Sequence, residues 1–139
     1  MSETAVQEQT QAAPNMSPGI ISWNELATSD ASGSSEFYTK LFGWEPVPMP
    51  GMEEYKIMKA GDEMVAGVMD KSEHCDGPAL WVSYVTVADV KASLAKAVEL
   101  GGEEIKGVTA VPGKGSFAIV KDPQGAIVGL WEFSGEGCC

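Results

Sequence analysis

A chain of 139 residues, 44% of them hydrophobic, has enough apolar side chains for one folded domain of ordinary composition. Its formal net charge of -11 makes nucleic acid and anionic membrane surfaces poor partners, because like charges repel, and it favours a neutral or cationic ligand. Three cysteines cannot form a disulfide framework, so we expect a cytoplasmic protein. No stretch approaches the roughly 20 apolar residues of a membrane span.

The first half of the sequence predicts a strand, a helix and three further strands. Residues 1–18 lack the basic segment and the apolar core of a secretory signal, and they predict a disordered tail. Residues 20–27 predict a strand with two distinct faces, and Asp30 is placed to cap a helix that ends at Gly43. The strands that follow are predicted over 44–47, 54–59 and 64–69.

The second half predicts a similar series of elements. A polar linker over 71–78 separates the halves and carries His74, which we interpret as a solvated surface residue. A strand follows over 80–87, and then a helix over 89–100, where apolar residues recur every three or four positions. A tight turn at 122–125 leads into a last apolar strand.

The two halves also match each other in residue pattern. Asp30 and Asp89, which open the two predicted helices, lie 59 residues apart, and the segment 65–69 recurs 62 residues later at 127–131. The sequence therefore predicts an α+β fold of two tandem βαβββ modules, over 19–70 and 79–134, with a short C-terminal tail over 135–139. A chain built twice on one plan is expected to hold its site where the halves meet.

Several short motifs resemble, in their order, those of the glyoxalase, bleomycin-resistance and extradiol-dioxygenase superfamily. They are Glu25-Leu26 with Asp30, Phe37-Tyr38, Leu41 to Trp44, Gly101-Gly102, Gly113 to Phe117, and Asp122 to Ala126. The resemblance covers nearly all of 19–134. It implies a glyoxalase-like fold in which two modules form a cup-shaped mixed sheet around a small-molecule site, and it implies a homodimer.

The resemblance further implies metal-ligand positions on the first and fourth strands of each module. These positions hold Trp23, Gly67, Val82 and Gly129, none of which has a donor atom in its side chain for a divalent ion. We therefore predict no cofactor, with a divalent metal held by displaced ligands as the alternative. The weak candidates for such ligands are Glu25, which shares a strand face with Trp23, and Glu132, which alternation turns outward unless a bulge intervenes.

The predicted site is an apolar pocket with one carboxylate. Glu25 is our candidate for a catalytic or ligand-contacting group, and the alternative is a hydrogen-bonded structural carboxylate. Glycines at the vacated ligand positions are expected to open space, and tryptophans to supply walls unless they belong to the core. The predicted ligand-binding residues are Trp23, Tyr55, Gly67, Trp81, Tyr84, Lys114, Gly129 and Trp131.

Three classes of function remain open from the sequence. The first is a metal-free protein that binds a small molecule, as drug-sequestering bleomycin-resistance proteins do. The second is an enzyme, either a glyoxalase-like lyase or a dioxygenase, with displaced metal ligands. The third is an interaction module that has lost its site. We favour small-molecule binding, because the implied metal-ligand positions lack side-chain donor atoms and the acidic chain suits a cationic compound.

Overall fold

The computed structural model describes residues 17–49, 51–71 and 77–134. Most of the predicted N-terminal tail, the C-terminal tail and His74 lie outside the described residues. The elements are β1 (Ile21–Thr28), α1 (Ala31–Phe42), β2 (Glu45–Met49), β3 (Met52–Ala60), β4 (Glu63–Asp70), β5 (Leu80–Thr86), α2 (Val90–Glu99), β6 (Glu103–Val111), β7 (Gly115–Lys121) and β8 (Ile127–Phe133). Each half thus runs strand, helix and three strands.

The strands form one eight-stranded mixed sheet in the order β2-β3-β4-β1-β5-β8-β7-β6. The first strands of the two halves, β1 and β5, lie side by side at its centre and are antiparallel. Each pairs on its other side with the last strand of its own half in parallel fashion, β1 with β4 and β5 with β8. This arrangement confirms the predicted α+β fold.

Both helices begin at the aspartates expected from the sequence. The Asp30 side chain accepts a hydrogen bond from the Gly33 amide at 3.0 Å, and the Asp89 side chain accepts one from the Ala92 amide at 3.2 Å. Gly43 ends α1 with a φ of 77°, a left-handed conformation that glycine adopts without strain. Neither of the described helices is long and apolar enough to cross a membrane.

The core of the first half lies between α1 and the sheet. Met58 and Val68 are fully buried there, and Leu26, Ala31 and Ala66 complete the cluster. The large apolar residues Phe37, Leu41 and Phe42 of α1 lie outside this buried face, since they are 56 to 58% exposed. Because the helix-side residues of each strand form this core, the alternate residues remain free to line the opposite face of the sheet.

Candidate functional site

A cavity of about 370 Å³ lies on the face of the sheet opposite the helices, and we call it the cup. Residues from both halves line it, which agrees with the expectation of a site where the halves meet. Six of the residues predicted for the site are among them: Trp23, Glu25, Tyr55, Tyr84, Lys114 and Trp131. Alternation along the strands explains their placement, since Trp23 and Glu25 are two apart on β1.

Trp81 is not part of the cup, so its predicted place in the wall is wrong. Its indole Nε1 donates a hydrogen bond to the Tyr38 hydroxyl at 3.2 Å, and its ring lies 6.4 Å from that of Trp44. Both partners belong to the helix side of the sheet. Since Trp81 and Tyr84 are three residues apart on β5, alternation places them on opposite faces.

Gly67 and Gly129 do face the cup, but they do not open space in it as predicted. The end of the Tyr55 side chain lies directly over Gly67, and the Tyr84 ring lies over Gly129. A Cβ atom at either glycine would overlap the tyrosine above it. The absence of a side chain at these two positions therefore lets two tyrosines lie flat against the sheet.

The two tyrosines hold the Glu25 carboxylate at the floor of the cup. The Tyr84 hydroxyl donates to Glu25 Oε1 at 2.9 Å, and the Tyr55 hydroxyl also hydrogen-bonds the carboxylate. The Tyr55 oxygen in turn accepts a hydrogen bond from the Trp23 indole at 2.9 Å. This series of hydrogen bonds, from Trp23 through Tyr55 and Glu25 to Tyr84, fixes the orientation of the carboxylate within an apolar wall.

Burial is the main influence on the acidity of these groups. It raises the pKa of Glu25 above its ordinary value, although the hydrogen bonds from Tyr84 and Tyr55 partly offset the rise. Burial and the nearby Glu25 charge raise the pKa of both tyrosine hydroxyls far above their ordinary range. The hydroxyls therefore remain neutral donors at any physiological pH, whereas Glu25 can hold or release a proton.

The raised pKa predicts how stability depends on pH. Because the folded state binds the Glu25 proton more tightly than the unfolded state, stability falls as pH rises from the ordinary glutamate value through the raised one. Glu25→Gln, which keeps a neutral side chain of the same shape, is expected to raise the Tm at pH 8 by about 3 °C, as roughly 1 kcal/mol does in a domain of this size. Thermal unfolding of both proteins between pH 4 and 8 measures this, and an equal Tm throughout would contradict it.

Glu132, the second carboxylate considered for a metal, lies on the helix side of the sheet. Its Oε1 accepts a hydrogen bond from the Val90 amide at the start of α2, at 2.9 Å. The first half has the same contact, where Asp70 accepts from the Ala31 amide at 2.8 Å. Each carboxylate satisfies an amide at a helix N-terminus, which gives Glu132 a structural role and confirms its predicted outward orientation.

The side chains of the cup do not fit a catalytic divalent metal. Of the four implied ligand positions, Trp23 contributes an indole, Val82 is buried, and the two glycines lie under tyrosines. Glu25 is the one carboxylate among the described residues that line the cavity. Within 17–49, 51–71 and 77–134, no group of three His, Cys, Asp or Glu residues comes together. Such a site needs three or four convergent donors.

Several residues of the cup were not predicted from the sequence. They are Ser22, Met49, Met52, Ile57, Met69, Val111, Phe117 and Phe133. Alternation from Tyr55 would have found Ile57, and alternation from Trp131 would have found Phe133. The repeat pairs Phe117 with Tyr55, which was a further signal. Met69 had both signals, since it lies two residues from Gly67 on β4 and the repeat pairs it with Trp131. Met49 and Met52 gave no such signal, although their flexible side chains suit a binding surface.

Comparison with known proteins gives the family. A family model described as the Glyoxalase/Bleomycin resistance protein/Dioxygenase superfamily matches residues 20–130. CFP32 of Mycobacterium tuberculosis, provisionally named a glyoxylase, is 35% identical over 120 residues, which cover 82% of this chain and 46% of that protein. The anthracycline biosynthesis protein DnrV of Streptomyces peucetius is 32% identical, with 82% and 47% covered. The chain thus spans about half the length of these relatives.

Two solved structures show the same fold at low sequence identity. The Mn(II)-bound glyoxalase of Novosphingobium aromaticivorans has a TM-score of 0.55 at 19% identity, over 83% of this chain and 38% of that one. A variant of the homoprotocatechuate 2,3-dioxygenase of B. fuscum has a TM-score of 0.54 at 22% identity, over 88% and 34%.

Proposed function

Since the chain belongs to the glyoxalase, bleomycin-resistance and dioxygenase superfamily, we propose that it binds a small, largely apolar molecule in the cup, next to Glu25 and without a metal. The observation that carries this proposal is the apolar cavity in which, among the described lining residues, one carboxylate is held between two tyrosine hydroxyls. Its volume, about 370 Å³, lies in the range of small-molecule sites, which combine apolar walls with a few placed polar groups. Glu25 is the group that contacts the ligand.

A ligand screen tests this proposal directly. A ligand that binds only the folded state at 100 times its Kd adds about 2.7 kcal/mol to stability, which a thermal-shift assay detects readily. Trp23 and Trp131 line the cup, so binding should also change tryptophan fluorescence. Compounds that give both signals are expected. If a chemically diverse library of apolar and aromatic compounds gave neither, the binding function would be refuted.

The alternative function is a metal-dependent lyase or dioxygenase, favoured by the relative named as a glyoxylase and by the Mn(II)-bound structural neighbour. The donor set of the cup opposes it. We therefore expect that Zn, Ni, Mn or Fe added to chelator-treated protein leaves the Tm of the protein and of Glu25→Gln unchanged. A tightly held, stoichiometric ion that restored turnover would overturn the metal-free proposal and make Glu25 a metal ligand.

The proposal includes a homodimer. Phe37, Leu41 and Phe42 form an exposed apolar surface on α1, and such surfaces mark interaction sites. The occupant we propose is a second copy, because the matched relatives hold in one chain about twice the length of this one. Light scattering should give about twice the chain mass, and Leu41→Glu should give a monomer, whereas Leu100→Glu, at the exposed residue that follows α2, should not. A wild-type monomer at every concentration would contradict the dimer.

A further inference from the structure

Glu25 has an unusual electrostatic environment for a partly buried carboxylate. The groups that hydrogen-bond it, Tyr55 and Tyr84, are neutral and stay neutral across the physiological range. No lysine, arginine or histidine among the described residues forms an ion pair with it. A charge that is largely shielded from water and has no counter-ion is costly, so the ionised carboxylate gains most from a partner that brings a positive charge.

The walls around Glu25 suit a positive charge as well. Among the described residues, six aromatic rings line the cup, namely Trp23, Tyr55, Tyr84, Phe117, Trp131 and Phe133. They are not isolated, since the Tyr84 and Phe117 rings lie 6.1 Å apart and those of Trp131 and Phe133 lie 5.6 Å apart. The faces of such rings attract cations, and the attraction is stronger where water is excluded.

From the carboxylate and the ring walls together we infer that the cup selects organic cations, with a protonated amine placed at Glu25 and an apolar body against the aromatic rings. This inference rests on the proposed function and adds the charge and the orientation of the ligand.

The rim of the cup sets that orientation. Lys114 lies in the turn between β6 and β7 and is the second charged side chain among the described residues of the lining. Lys114 is exposed, whereas Glu25 is partly buried on the central strand β1. Lys114 repels a ligand cation and Glu25 attracts it. In the bound ligand the amine therefore lies at Glu25, and any anionic group lies near Lys114. The net charge of -11 draws cations toward the protein as a whole.

Three probes that share one ring system test the charge. They are 2-naphthylmethylammonium, the neutral 2-naphthylmethanol and the anionic 2-naphthoate, each titrated by calorimetry at pH 8. We expect the ammonium probe to bind at least tenfold more tightly than the alcohol, and the naphthoate to bind most weakly. If the alcohol bound as tightly as the ammonium probe, the charge inference would fail while the binding function stood. If no probe bound, both would fail.

A matched pair of variants locates the effect. Glu25→Gln should remove the tenfold preference for the ammonium probe over the alcohol, so that the ratio of the two Kd values approaches one. Glu63→Gln changes the net charge equally at an exposed position on β4 and should keep the preference. Loss of the preference in both variants would show that the overall charge, and not the cup, selects cations.

A pH titration of the wild-type protein provides a test that does not depend on whether the variants fold. As pH falls through the raised pKa of Glu25, the carboxylate gains a proton, and the preference for the ammonium probe should disappear while the alcohol binds unchanged. The two tyrosine hydroxyls beside Glu25, those of Tyr55 and Tyr84, have raised pKa values and keep their protons throughout this range. A preference that persisted unchanged down to pH 4 would overturn the assignment to Glu25.

Discussion

Gly129→Ala is expected to abolish ligand binding in the cup and to lower the free energy of unfolding by about 1 to 3 kcal/mol. A Cβ at this position would overlap the Tyr84 ring, including its Cγ at 2.8 Å. Because Cγ lies next to the backbone-anchored Cβ of Tyr84, the ring can clear the new methyl group only by changing its rotamer. That change withdraws the Tyr84 hydroxyl from Glu25 and moves a wall of the cup.

The effect is measured by urea unfolding and by calorimetry with the naphthyl probes. Gly107→Ala is the control, since its Cβ would meet only the flexible end of the Glu104 side chain at 2.9 Å, and it should be nearly neutral. In a Tyr84→Ala background, Gly129→Ala should cost little, which gives a coupling energy between the two sites. Purely additive effects would show that the ring does not depend on the glycine.

The fold could be predicted because its signals are local and occur twice. Asp30 and Asp89 cap the two helices, and both contacts are present in the structure. The spacing between the halves determines which strands are equivalent, and the structure places one such pair, β1 and β5, at the centre of one sheet. Local capping chemistry and repeat spacing therefore predicted the elements and the two modules, whereas the assembly of the modules into a cup was implied by the family resemblance.

The contents of the cup were harder to predict, because they depend on which side chain fills a given space. Gly67 and Gly129 were expected to leave room, but a sequence does not show that a tyrosine from another strand lies over each. Trp81 is a different case. Its position three residues from Tyr84 already placed it on the opposite face, so the strand alternation contradicted its assignment to the cup.

The exposed aromatic residues of α1 show a further limit of prediction from the sequence. Spacing in a helix predicts which side chains share a face, but not whether that face meets the sheet. Here small residues, Ala31 and Ser35, are the buried ones, because α1 packs closely on the strands. The larger Phe37 and Phe42 remain at the surface, where the proposed dimer would cover them.

Met58→Ala is expected to cause the largest loss of stability, about 2 to 5 kcal/mol, while leaving the affinity of the cup unchanged. Met58 is 0% exposed and packs with Leu26 and Val68 in the core under α1, so its truncation leaves a cavity that the neighbours only partly fill.

The same strand, β3, contributes to both faces of the sheet, and this makes the Met58 prediction informative about function. Its neighbour Ile57 lines the cup, whereas Met58 points into the helix-side core. Urea unfolding should show the loss, and titration of the folded variant with 2-naphthylmethylammonium at low temperature should give the wild-type Kd. Met64→Ala, at a side chain 59% exposed on β4, should change neither quantity. A folded Met58→Ala protein with weakened binding would show that the cup depends on the packing of the opposite face, and that the two faces of the sheet cannot be altered independently.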